Sequence, residues 1–168
     1  MVGVLSRLAP LKGHDDLLEI AEDVHLLFVG DGELRAPLEA AAARKNLPLT
    51  VTGMIDPDQI PEALAAMDVL VHPSYREGLP RAAVQGLLAG LPVVAHDCDG
   101  AREVVVNGET GFLVPPGNRD RLRTAVGEAF HSGRELALEG RRRCRELFSA
   151  ERMVGLLESS YEELLPPK

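Results

Sequence analysis

Tryptophan is absent from this 168-residue chain, and aromatic residues make up only 4% of it. The core therefore has to be filled by Leu, Val and Ala. Cysteine is scarce as well. Cys98 and Cys144 are too few for a disulfide framework or a metal site, and they read as free thiols in a reducing, cytoplasmic compartment. Positive charge is in deficit, with 18 Lys and Arg against 26 Asp and Glu and a formal net charge of −8. Nucleic acid is thereby disfavoured as a partner, because it needs a basic surface that releases counterions. The one basic run, Arg141, Arg142, Arg143 and Arg145, falls in a helical stretch and reads as a solvated face. No apolar run reaches membrane-spanning length. Met1 leads directly into Val2-Gly3-Val4-Leu5 with no signal-peptide pattern. No His group stands at ligand spacing, so neither a metal nor a cofactor is expected.

What is present is an alternation of short apolar runs with longer helical ones. Strands are expected over Val2–Ser6, His25–Val29, Leu49–Thr52, Val69–His72, Pro92–Ala95 and Phe112–Val114. Most are apolar on both sides, which suits strands covered on both faces of a parallel sheet. Helices are expected between them, over Asp15–Ala21, Glu33–Lys45, Gln59–Met67, Pro80–Leu88 and Ala101–Val106. The pattern predicts an α/β fold, a Rossmann-like doubly wound parallel sheet of about six strands with helices on both faces. After the Pro115-Pro116 turn, three helices are expected over Arg119–Phe130, Arg134–Leu147 and Ala150–Leu165, forming a C-terminal helical tail. The whole chain reads as one domain.

Ligands of open α/β sheets bind beyond the carboxyl ends of the strands. The loop after the first strand holds Arg7 and Lys12 just before a helix start. Two readings stand: a pyrophosphate grip, or two solvated cations. Gly30-Asp31-Gly32 after the second strand fits a plain strand-to-helix turn or the flank of a ligand. Met54 and Ile55 lie in a loop at the end of the third strand; its free backbone groups can pair with a base, but by itself the segment reads only as a loop. The richest stretch is His72-Pro73-Ser74-Tyr75-Arg76-Glu77-Gly78-Leu79-Pro80. Pro80 can open the next helix, leaving the amides of Gly78 and Leu79 at its N-terminus as an anion site. Glu77 either caps that helix or accepts from sugar hydroxyls. Gly100 lets a further loop approach a ligand closely, and Asn107-Gly108 reads as a tight structural turn.

These segments, in this order, resemble the C-terminal domain of the family 4 retaining glycosyltransferases, which have the GT-B fold. The resemblance rests on Val4-Leu5-Ser6-Arg7 through Lys12-Gly13, on Leu26 through Gly32, and on Met67 through Ser74 leading into Glu77-Gly78-Leu79-Pro80. It continues through Leu87 to Ala95 and through Gly108 to Pro115. The resemblance implies transfer of a sugar from a UDP- or GDP-sugar to an acceptor hydroxyl with retained anomeric configuration. Arg7 and Lys12 would bind the diphosphate, Glu77 the donor sugar, and the amides of Gly78 and Leu79 sugar and phosphate. The backbone at Met54 and Ile55 would contact the base. Arg7, Lys12 and Glu77 would be the catalytic set, with fixed cations in place of a metal.

The family motif pairs two glutamates, and the second position here is Gln85. The resemblance implies that this position accepts from the ribose, more weakly here because the acceptor is uncharged; an exposed helix Gln with a purely structural role is the alternative. The resemblance also implies that an acceptor domain, in cis or in trans, lies outside this chain. Turnover is not expected without it, and any membrane contact is expected only through it. The last helix, with Met153, Leu156, Leu157, Tyr161 and Leu164 at helical spacing, either packs on this domain or presents a docking patch. A nucleotide-sugar 2-epimerase fragment and a non-catalytic nucleotide-binding module are the alternatives. A flavodoxin-like domain is disfavoured because cations stand where an acidic cluster belongs.

Overall fold

The computed structural model describes residues 1–165, apart from the side chains of Ser132 and Arg134. Six strands, β1 (Val2–Leu5), β2 (Leu26–Val29), β3 (Leu49–Val51), β4 (Val69–His72), β5 (Val93–His96) and β6 (Gly111–Val114), form one sheet. Every pairing is parallel and the order is β3-β2-β1-β4-β5-β6. The chain winds outward from β1 in one direction and then outward from β4 in the other. A crevice opens at that reversal, at the carboxyl ends of β1 and β4.

Side chains alternate along the strands and build two cores. Val2, Val4, Phe28, Val69, Val71 and Val94 face one way, onto α1 (His14–Ile20), α2 (Arg35–Arg44) and the first half of α6 (Arg119–Leu147). Leu27, Val29, Leu70, Val93 and Ala95 face the other, onto α3 (Ile60–Ala65), α4 (Arg81–Ala89) and α5 (Ala101–Val104). Dense packing of branched aliphatics lets a chain without tryptophan close both layers.

Two expectations change. The break foreseen between Phe130 and Arg134 does not exist: α6 runs unbroken for 29 residues. Glycine inside a helix costs about 1 kcal/mol relative to Ala, but here tertiary contact decides. A Cβ on Gly133 would stand 3.0 Å from the Pro92 ring, and one on Gly140 would stand 2.6 Å from Leu87. These glycines let one long helix lie close to the sheet end and then to α4. The expected helix Ala101–Val106 is also shorter, because Val105 turns extended after α5.

The last helix, α7 (Ala150–Leu164), buries none of its residues. Met153, Leu156, Leu157, Tyr161 and Leu164 are all exposed, Leu164 by 81%. Of the two readings of its apolar stripe, packing on this domain is therefore excluded. Among the described residues, no helix is long and apolar enough to cross a membrane.

Candidate functional site

A cleft of about 660 Å³ occupies the reversal point of the sheet. Arg7, Lys12, Met54, Ile55, Glu77, Leu79 and Gln85 all line it. Gly78 lines an adjoining recess with Arg76, Glu77 and Asp99. The fold thus gathers all eight candidate residues from four separate segments.

The loop after β1 is strapped to the loop after β4. The carbonyl of Leu11 accepts from the Tyr75 amide at 2.8 Å and from Ser74 Oγ at 3.2 Å. Gly13 has φ 71°, and a Cβ there would stand 1.9 Å from the Pro73 carbonyl oxygen. Only glycine fits that backbone and that approach. Leu11 also takes a left-handed φ of 66°, a strained conformation for a leucine. The strap carries Lys12 across the cleft into an ion pair with Glu77.

Glu77 is not the helix cap. Pro80 occupies the N-cap position of α4, and no side chain caps it. The Glu77 carboxylate turns into the cleft instead, where Lys12 pairs with it and His72 Nε2 stands 3.2 Å from Oε1. At that distance the imidazole faces the carboxylate directly, although its Nε2 is not in ideal hydrogen-bond alignment. His72, and after it Lys12, hold the Glu77 carboxyl at a pKa of about 2, against the opposing effect of burial. The Glu77 amide is already taken, donating to Asp99 Oδ2 at 2.9 Å. The amides of Gly78 and Leu79 make no hydrogen bond among the described residues. These two N–H groups, set just ahead of α4, are free to hold an anion.

Gly100 has a different job from the one expected. A Cβ there would stand 2.1 Å from the carbonyl oxygen of Gly78, so the close approach is to protein backbone rather than to ligand. Gly100→Ala must push the Gly78–Leu79 turn outward. We expect a loss of about 1–3 kcal/mol, seen as a lowered midpoint in thermal unfolding. Gly78→Ala, with nothing within 4 Å of its Cβ, should leave that midpoint unchanged.

The floor of the site is polar and buried, and the sequence did not single it out. His14 is 2% exposed and contacts Ser6 Oγ at 3.0 Å. Burial, with Lys12 and His72 adding to it, lowers its pKa to about 4. Between about pH 6.5 and about pH 4 the unfolded chain holds a proton on this ring and the folded chain does not. Stability is therefore expected to fall as pH is lowered through that window, by on the order of 3 kcal/mol in full. Chemical denaturation at stepped pH checks this, and His14→Asn should flatten the curve there. Behind it, the buried Asp16 carboxylate accepts from Tyr75 Oη and, at 2.8 Å, from Arg119 Nε. That pair ties α1, the Glu77 loop and α6 together.

His72 and Ser6 carried one legible signal: each is a polar residue at the carboxyl end of an apolar strand. Arg81 also lines the cleft, one helical turn before Gln85. The expectation of no metal passed over two Asp-X-Asp spacings. In the first, Asp56 enters a capping box with Gln59. In the second, Asp97 pairs with Arg102 and Asp99 holds the Glu77 amide. Among the described residues no three potential ligands cluster.

With this geometry in place, likeness to known proteins becomes informative. Residues 1–146 match the family described as Glycosyl transferases group 1. The chain belongs to that family, and its sheet is a Rossmann-like half of the GT-B fold. A GDP-mannose-dependent alpha-mannosyltransferase of Mycobacterium tuberculosis is 38% identical over 146 residues, covering 84% of this chain and 37% of that protein. A 2-deoxystreptamine glucosyltransferase of Streptomyces kanamyceticus is 32% identical, covering 98% of this chain and 46% of that protein. Among solved structures, sucrose-phosphate synthase of Thermosynechococcus elongatus superposes with a TM-score of 0.89 at 27% identity, over 97% of this chain and 45% of the other. Anabaena HepE in complex with UDP-glucose gives 0.85 at 26%, over 96% and 48%. The chain spans less than half the length of each of these relatives.

Proposed function

We propose that this chain is the donor-binding half of a retaining glycosyltransferase that moves a sugar from a nucleoside diphosphate to an acceptor hydroxyl. One observation carries the reading. Arg7, Lys12, Glu77 and two amides unpaired among the described residues, those of Gly78 and Leu79, gather at one cleft and its adjoining recess at the sheet's reversal point. As the glycosidic bond breaks, negative charge grows on the departing diphosphate. Fixed cations and amides aimed at that charge stabilise it without reorganising. Glu77 accepts from hydroxyls of the donor sugar. Met54, Ile55, Pro57 and Ile60 supply the apolar end for the base. Gln85 accepts from the ribose as an uncharged group.

The acceptor domain comes from outside this chain, in cis or in trans, and it seats on the exposed stripe of α7. Support comes from the relatives, which are more than twice this chain's length. It comes also from the five large side chains on α7 that nothing here covers. Alone, the chain binds donor and does not transfer.

Calorimetric titration of the 168-residue chain with UDP and with GDP tests the reading. Saturable binding of one of them at a 1:1 ratio is expected. Absence of binding for both would overturn it. Sugar transfer by the chain alone, without an added acceptor domain, would overturn the second part.

A further inference from the structure

Arg81 is the first residue of α4 and lines the cleft, and Gln85 lines it one turn further along the same helix. Residues four apart on a helix are neighbours on one face. A carboxylate at position 85 would therefore sit beside the Arg81 guanidinium and pair with it. The amide of Gln85 carries no charge to do so, and Arg81 makes no ion pair among the described residues. The other cations of the cleft differ from it. Lys12 is held by Glu77, and Arg7 comes from the far wall, on the loop after β1. Along the chain Arg81 lies between the amides of Gly78 and Leu79, unpaired among the described residues, and Gln85, so on the proposed reading it stands between the groups for phosphate and for ribose.

We propose that Arg81 is a third phosphate-binding cation, directed at the phosphate nearest the ribose and left free for that task because residue 85 is Gln. The inference rests on the cleft being a nucleotide site. It assigns the two ends of the diphosphate to different groups: Lys12 and the Gly78–Leu79 amides to the distal phosphate, Arg81, one turn closer to Gln85, to the proximal one. A planar donor fork suits two oxygens of one phosphate.

The test separates phosphate binding from nucleoside binding. Affinities of the full chain for uridine, UMP and UDP, or for the guanosine series if that is the one bound, are measured by NMR titration. The gain from nucleoside to monophosphate is the readout. Arg81→Gln should lower that gain about tenfold and leave nucleoside binding unchanged, while Arg81→Lys should restore part of it. Gln85→Glu should lower the same gain when Arg81 is present and have no effect on it in Arg81→Gln. An exposed residue without partners is not needed for folding, so an unchanged thermal midpoint is expected for each variant. A monophosphate gain that is equal in wild type and Arg81→Gln overturns the proposal while leaving the site reading intact. A wild-type chain that binds none of the nucleotides overturns both.

Discussion

Lys12→Gln combined with Arg7→Gln is expected to lower affinity for a nucleoside diphosphate by about two to four orders of magnitude. Hydrogen bonds to charged groups contribute about 1.5–3 kcal/mol each, and each 1.4 kcal/mol is about tenfold in affinity. The two single changes should be unequal. Arg7 is exposed and makes no ion pair among the described residues, so Arg7→Gln only removes a donor fork. Lys12 pairs with Glu77, whose side chain is only 16% exposed. Lys12→Gln therefore removes a cation and also leaves a carboxylate of low pKa uncompensated in a site meant for an anion. The lysine change should weaken binding more than the arginine change. Calorimetry on the three variants checks the order; equal affinities for all of them and wild type would remove the phosphate role.

Glu77→Gln should separate the nucleotide from its sugar. The Lys12 ammonium is paired with Glu77, and a diphosphate has to draw it away. Removing the negative charge frees Lys12 and makes the cleft more positive. Affinity for UDP or GDP should rise, by roughly two- to fivefold, which is the scale of a partly exposed ion pair. The matching nucleotide sugar loses its charged acceptor for sugar hydroxyls, so the advantage it gains from its sugar should shrink. The two ligands thus respond in opposite directions to one substitution. A double-mutant cycle with Lys12→Gln measures the coupling directly. If Glu77→Gln weakens free diphosphate as much as it weakens the nucleotide sugar, Glu77 has no role specific to the sugar. At neutral pH the Glu77 charge is fully developed, since its pKa is held at about 2. Titration of Glu77 therefore adds no pH dependence to either effect between about pH 6 and about pH 8.

The sheet was legible because burial on two faces writes itself into composition. Val69-Leu70-Val71 and Val93-Val94-Ala95 are apolar at every position, and both lie wholly inside. The long helix was not legible. Gly133 lowers local helix preference, and the contact that outweighs this loss is with Pro92, on a distant part of the chain. The Glu77 stretch was legible as a polar loop before a helix, but its two readings could not be separated there. Capping and cleft-lining differ only in which way one carboxylate turns, and Lys12, 65 residues distant, decides that. Nothing in the sequence marked His14 or Asp16, which stand at the start of the first helix, as buried. Their burial depends on Ser6, Tyr75 and Arg119 arriving from three other segments.

By itself, then, the sequence determined the kind of fold, the number of its strands, and where strands, helices and loops fall along the chain. Those features follow from local chain preference and from the spacing of apolar residues along one strand or helix. The tertiary structure decided the ion pair across the cleft, the two amides left without partners among the described residues, the backbone contact at Gly100 and the uncovered face of α7. Each of those depends on groups far apart in the chain meeting within a few ångströms, and short-range pattern carries no information about such meetings until the two cores have packed.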